Sequence, residues 1–169
     1  MSAEHTDRFE SREQVVETLR RNRDLSGANL SGLDLSGIKL TGLNMEGADL
    51  SNANLQGATL AAGNMAGVDL SGAMLNGARV GAANLEDANL TEADLTESRW
   101  FGVNVTGADF TGAKTTGARA SGVAWSQAKV PPAEIPEPVP VPPWLPALLA
   151  GIGVLFVVVI ILANKRRRA

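Results

Sequence analysis

Between Asp24 and Trp125 the chain places an apolar residue at every fifth position. Leu25, Leu30, Leu35, Leu40, Met45, Leu50, Leu55, Leu60, Met65, Leu70, Leu75, Val80, Leu85, Leu90, Leu95, Trp100, Val105 and Phe110 follow one another at that spacing without a break. A helix face repeats every 3.6 residues and a strand face every two, so neither accounts for a period of five. A short fixed period marks a stacked repeat architecture. Such a repeat dictates a shape and leaves the activity open.

Two residues before each of these centres the chain usually has Ala, as at Ala28, Ala48, Ala53, Ala58, Ala73, Ala78, Ala83, Ala88, Ala93, Ala108, Ala113 and Ala118. In extended chain, residues two apart share a side, so each unit buries one small and one larger apolar residue. The residue between them points outward and is often Asp or Asn. A small or polar residue follows the centre, and then usually Gly, as at Gly27 and Gly57. That Gly suits the second central position of a type II turn, which needs φ > 0. Each unit therefore reads as a very short strand and a turn.

Units such as Ala28-Asn29-Leu30-Ser31-Gly32 and Ala48-Asp49-Leu50-Ser51-Asn52 match the A(D/N)LXX pattern, and over residues 23–125 the chain resembles the pentapeptide-repeat proteins. The resemblance implies an all-β fold, a right-handed quadrilateral β-helix with four units per coil and about five coils. At ~4.8 Å per rung such a rod is roughly 25 Å long.

Four units per coil stack residue n on residue n+20, which sorts the outward residues into four columns. The first is Asp24, Asn44, Asn64, Asn84 and Asn104. The second, Asn29, Asp49, Asp69, Asn89 and Asp109, is acidic. The third, Asp34, Asn54, Met74, Asp94 and Lys114, is mixed. The fourth, Lys39, Thr59, Arg79, Arg99 and Arg119, is basic. Acidic and basic columns thus lie on opposite sides of the prism, and Lys39, Arg79, Arg99 and Arg119 form a candidate partner-binding face. Exposed charges on a solenoid are most often only solvated surface. In addition Asp87, Glu92 and Glu97 replace the turn Gly in three successive units, an acidic belt expected to change the turn type there. Trp100 enlarges one core position beside the small Ser98, which suggests volume compensation. Beyond Phe110 the centres weaken to Thr115 and Ala120, and Trp125 is a candidate plug for the last coil.

The flanks differ in kind. Residues 1–10 are polar and expected to be loose. Ser11-Arg12-Glu13-Gln14 fits a capping box, and a helix within residues 11–22 has an apolar stripe of Val15, Val16 and Leu19 and a Glu17–Arg21 pair. It is read as a lid on the first coil of the repeats at 23–127, the alternative being a membrane-surface or partner-binding helix. All eight prolines fall in residues 131–146. Pro has a fixed φ and no N–H, so 128–143 is read as a semi-rigid polyproline II spacer. Residues 144–163 carry no charge, and as a helix they reach roughly the 30 Å of a bilayer core, which makes them a candidate transmembrane helix. Trp144 would sit at one interface and Lys165, Arg166, Arg167 and Arg168, in the basic tail 164–169, at the other.

Several chemistries have no residues to carry them. There is no Cys, hence no disulfide framework or thiolate. The one histidine, His5, lies in the N-terminal stretch, and the glycines obey the period of five rather than a phosphate-loop pattern. No cofactor, metal, small-molecule substrate or catalytic residue is expected, and nucleic acid is not expected as a partner. The repeat, spacer and apolar segments together read as a non-enzymatic module tethered to a membrane and presenting its rod to another protein. The family resemblance implies an alternative, since some pentapeptide-repeat proteins mimic DNA and bind type II topoisomerases such as gyrase. Residues 24–127 carry eleven Asp and Glu against five Lys and Arg, as a mimic would need, whereas the basic column interrupts the negative surface. The basic tail favours a cytoplasmic C-terminus. With no visible signal peptide, tail anchoring with a cytoplasmic rod is preferred over a rod on the outer side. Ile135-Pro136-Glu137-Pro138 also resembles, weakly, a bacterial C-terminal sorting tail, and Leu145-Pro146-Ala147-Leu148 lacks the Thr-Gly of a sortase site.

Overall fold

The computed structural model describes residues 8–139. The stacking register is twenty residues throughout. Five three-residue strands, β1 Lys39–Thr41, β2 Thr59–Ala61, β3 Arg79–Gly81, β4 Arg99–Phe101 and β5 Arg119–Ser121, pair in parallel, each n with n+20, and a two-residue β6, Glu137–Pro138, closes the sheet. The other three columns are single-residue parallel rungs in the same register, such as Asp24↔Asn44↔Asn64 and Asn29↔Asp49↔Asp69. The product is a parallel β-solenoid of about five turns with four rungs per coil.

The period of five creates this directly. The centres and the residues two before them form one continuous core, from Leu25 and Ala28 to Phe110. Burial of each large aliphatic side chain contributes about 1.5–3 kcal/mol. Three corners of each coil are hydrogen-bonded turns in which the fourth residue donates back to the centre, as Ala28 N–H does to the Leu25 carbonyl at 3.1 Å. The turn position before it has positive φ, +65° at Gly27, in agreement with a type II geometry. The fourth corner, after Leu40, Leu60, Val80, Trp100 and Ala120, lacks that bond. There the strand runs on by a residue, and only this face carries regular three-residue strands.

The outward Asp and Asn residues are structural before anything else. Each accepts from the backbone N–H two residues on, as Asp49 Oδ1 does from Ser51 at 2.9 Å, fixing the turn that follows. In the first column the asparagine amides also link coil to coil: Asn44 donates to Asp24 and Asn104 to Asn84, at 3.2 and 2.8 Å.

Both ends are more finished than the sequence suggests. At the start Ser11 caps α1, Arg12–Arg21, and the buried Val15 seats the helix on the core. The neighbouring residues are not all loose. Arg8 forms a parallel bridge with Asn29, Phe9 N–H donates to the Asn29 carbonyl at 2.9 Å, and the Phe9 ring enters the core.

At the far end the expected spacer begins later than residue 128. Phe110 N–H donates to the Val130 carbonyl at 2.9 Å, Thr115 Oγ1 donates to the Glu134 carbonyl at 2.6 Å, Pro132 and Pro136 are buried, and Glu137–Pro138 pairs with Arg119–Ala120. Residues 128–138 are thus a strap over the last coil. The extended φ that makes proline a spacer residue also fits an edge strand, and Pro138, with no N–H to offer, ends the ladder without inviting another strand. Under the strap the rings of Trp100, Phe110 and Trp125 lie 5.4–6.1 Å apart, so Trp125 fills the space left by the small centres Thr115 and Ala120. Among the described residues no helix is long and apolar enough to cross a membrane. The candidate span 144–163 and the interface residues Trp144, Lys165, Arg166, Arg167 and Arg168 lie outside the described residues.

Candidate functional site

The basic column occupies the face built from β1–β5. Lys39, Arg79, Arg99 and Arg119 each stand on the residue before a buried centre, so their side chains project outward, and all four are exposed, with Thr59 half-buried between them. The register sets Arg79 against Arg99 and Arg99 against Arg119 on adjacent rungs. Like charges directly opposite in a sheet are destabilising, so this arrangement costs stability. Among the described residues the ion pairs are those of Glu17 with Arg20 and Arg21 and of Asp109 with Lys129, and none involves the column. Glu97 lines a shallow depression of about 350 Å³ together with Arg99 and Arg119, and Glu137 of β6 stands opposite Arg119 in the register without an ion pair to it.

The acidic column behaves differently. Asp49, Asp69 and Asp109 are half-buried, and their carboxylates are already engaged. Asp69 accepts from Ser71 N–H at 2.9 Å and from the Asn89 amide at 3.1 Å. Asp109 accepts from the Thr111 hydroxyl and N–H at 2.6 and 3.0 Å, and Lys129 Nζ lies 3.5 Å away. These contacts, the Thr111 hydroxyl foremost, hold the Asp109 carboxyl below its usual range. The two charged columns therefore divide into an acidic one whose carboxylates are bonded and a basic one that enters no ion pair among the described residues.

The acidic belt does not change its turns. Asp87, Glu92 and Glu97 take φ of 55°, 59° and 55°, as glycine does at the other corners, and the turn bonds Ala88→Leu85, Ala93→Leu90 and Ser98→Leu95 remain, at 3.0–3.2 Å. The ladder bonds on either side impose the left-handed conformation, at roughly 1–2 kcal/mol per residue for an L-amino acid. The side chains find room because residues 107, 112 and 117 above them are glycines: a Cβ on Gly107 or Gly112 would overlap the Asp87 or Glu92 carboxylate. The three acids stand on successive corners and do not converge. Among the described residues no group of three or more His, Cys, Asp or Glu could hold a metal ion.

Two features escaped the sequence reading. Ser98 does more than make room for Trp100: its hydroxyl accepts the indole N–H at 2.8 Å and donates to the Leu95 carbonyl at 2.5 Å, deep in the core. Phe101, 69% exposed, stands next to the basic column, between Gly81 and Ser121 in the neighbouring rungs. Its signal was there in the column Thr41, Ala61, Gly81, Ser121, where every other occupant is small.

The model of the pentapeptide repeats matches the chain in eight copies, over residues 24–57, 53–91 and 88–123. The chain belongs to the pentapeptide repeat family. Members of this family are in general non-enzymatic structural or interaction proteins. Among solved structures it is similar to HetL, a pentapeptide repeat protein involved in heterocyst differentiation regulation in the cyanobacterium Nostoc sp. strain PCC 7120, with 26% identity and a TM-score of 0.51 over 66% of this chain and 59% of that one. The chain thus spans 59% of the length of that relative. It also resembles a pentapeptide repeat protein of the Arabidopsis thaliana thylakoid lumen (32% identity, TM-score 0.43, 61% of this chain and 69% of that one). A trypsin-treated form of QnrB1, a plasmid-mediated fluoroquinolone resistance protein, overlays at 18% identity with a TM-score of 0.40, over 63% of this chain and 71% of that one. No curated protein sequence matches the chain.

Proposed function

We propose that this protein is a non-enzymatic interaction module that docks an acidic surface of a partner protein on the column Lys39, Arg79, Arg99 and Arg119. The observation that carries the reading is the arginine ladder: three arginines on consecutive rungs, with one acid, Glu137, opposite its last member, with no ion pair among the described residues and with a cost in stability that an acidic partner would remove. Charges placed this way speed association and select partners, and their effect falls with salt. Phe101 beside them would supply an apolar contact.

The module is tethered, in this reading, by residues 144–163 as a single C-terminal span with Trp144 and Lys165–Arg168 at its interfaces. Tail anchoring leaves the rod in the cytoplasm. The support is the uncharged length of that segment and its basic flank. Protease protection on intact cells distinguishes the two topologies: a cytoplasmic rod resists external protease, whereas digestion of the rod would reverse the assignment.

Tagged full-length chain, crosslinked in membranes at low salt, should recover a discrete partner that is lost when Arg79, Arg99 and Arg119 are changed together to Glu. Equal recovery by the reversed protein would refute the docking face. The gyrase reading rests on the net acidity of the repeats, and the interrupted negative surface argues against it. Inhibition of gyrase supercoiling by the intact protein, unchanged by the arginine reversal, would restore it.

A further inference from the structure

The six-stranded sheet has two outer edges, β1 and β6. The β6 edge is closed by Pro138, which has no N–H to offer. The β1 edge is built differently. On this face each outward residue directs its N–H at the coil before it: Thr59 to the Ile38 carbonyl, Arg79 to Ala58, Arg99 to Ala78, all at 2.8 Å. Lys39 repeats the geometry with no coil before it.

A groove of about 500 Å³ lies there, between α1 and β1. Val16, Leu19 and Ile38 give it an apolar lining. Arg12, Arg20, Arg23 and Lys39 contribute four positive charges, and no acidic residue lines it. Arg12 donates to the Ser36 carbonyl and Arg20 pairs with Glu17, while Arg23 and Lys39 enter no ion pair among the described residues.

The chain shows how such an edge is filled. One column away, the Arg8–Phe9 segment lies along the bottom rung at Asn29, bonds its carbonyl and drops an aromatic ring into the core. We propose that the β1 groove takes an acidic, extended segment of a partner protein in the same manner. It adds as a strand beside β1, with an apolar side chain against Val16, Leu19 and Ile38 and carboxylates at Arg20, Arg23 and Lys39. Strand addition supplies affinity through the backbone and specificity through alternate side chains, so the ligand alternates acidic and apolar residues. This site shares Lys39 with the arginine ladder but depends on neither the ladder nor the membrane segment.

The test is fluorescence anisotropy of full-length chain in detergent with labelled peptides of alternating Glu and Ile. Binding should weaken at least tenfold for the paired change Arg20→Glu and Arg23→Glu, and likewise for Lys39→Glu, with circular dichroism verifying the fold. It should persist in Arg99→Glu/Arg119→Glu, and the amides of Lys39 and Thr41 should gain hydrogen-exchange protection. Equal binding of an alternating Glu and Gly peptide, or loss of binding in the Arg99/Arg119 protein alone, would overturn the groove in favour of the ladder. Tenfold tighter binding after removal of residues 1–7 would make the chain's own N-terminus the occupant. Dissociation of an oligomer by the peptide would assign the groove to a second copy. Either result overturns the proposal.

Discussion

Arg99→Gln tests whether the ladder stores unfavourable charge. Glutamine keeps most of the side chain's length and removes its charge. Arg99 faces two like charges, Arg79 and Arg119, on adjacent rungs. Rungs lie ~4.8 Å apart. Splayed guanidinium groups at about 7 Å in water repel by roughly 0.6 kcal/mol per pair, giving about 1.2 kcal/mol for two. A Debye length of about 10 Å at 0.1 M salt halves this to about 0.6 kcal/mol, and at about 1 M almost nothing is left. Urea denaturation followed by far-UV circular dichroism should therefore show Arg99→Gln stabilised by about 1 kcal/mol at about 10 mM salt and unchanged at about 1 M, a salt dependence set by screening. Arg99→Lys, which keeps the charge, should show no gain. A variant no more stable than wild type at low salt would refute the reasoning, because the column would then be solvated surface without electrostatic cost.

Other predictions follow from the same structure. Glu92→Gly should stabilise the rod by about 1 kcal/mol by relieving a left-handed L-residue, whereas Gly112→Ala, at φ 70° and against the Glu92 carboxylate, should destabilise it by more than about 1 kcal/mol; both are read from urea midpoints. Ser98→Ala orphans the buried Trp100 N–H and should cost about 1–3 kcal/mol, with a shift in tryptophan emission reporting the altered site; an unchanged midpoint would contradict the bond. Asp34, Asp94 and Asp109 are held below the ordinary value of 3.8, chiefly by the Ser36 backbone N–H and by the Thr96 and Thr111 hydroxyls respectively. Groups depressed on folding contribute stability that is complete above the unfolded value and fades as pH falls through the folded ones. Acid titration of wild type should lose stability below about pH 4, and Thr96→Val/Thr111→Val should have less to lose.

The stacking was legible because one side-chain period sets both burial and register: Leu50 predicts Leu70 above it, and Lys39 predicts the column that ends at Arg119. Turn chemistry was legible only where glycine marked it. Glu92 hides its left-handed φ because the constraint comes from the coils above and below, not from the residue. Composition misled at the ends. Phe9 in a polar stretch and Pro132 and Pro136 in a proline run are buried through contacts with residues some twenty positions away in the chain, which local patterns do not carry. Charge pattern located the basic and acidic columns but not their difference. Whether a carboxylate such as Asp109 is engaged depends on Thr111 and Lys129, and whether Arg99 is not depends on what the sheet leaves out of reach.

The central claim is that the Lys39–Arg119 face, and not the acidic one, meets a partner. Site-specific photocrosslinking in living cells addresses it directly, with a photoreactive side chain placed at Thr59 on the basic column or at Asn89 on the acidic column. The account predicts discrete adducts from position 59 that vanish when Arg79, Arg99 and Arg119 are reversed to Glu, and none from position 89. Adducts from position 89 alone, or adducts from position 59 that survive the reversal, would contradict it.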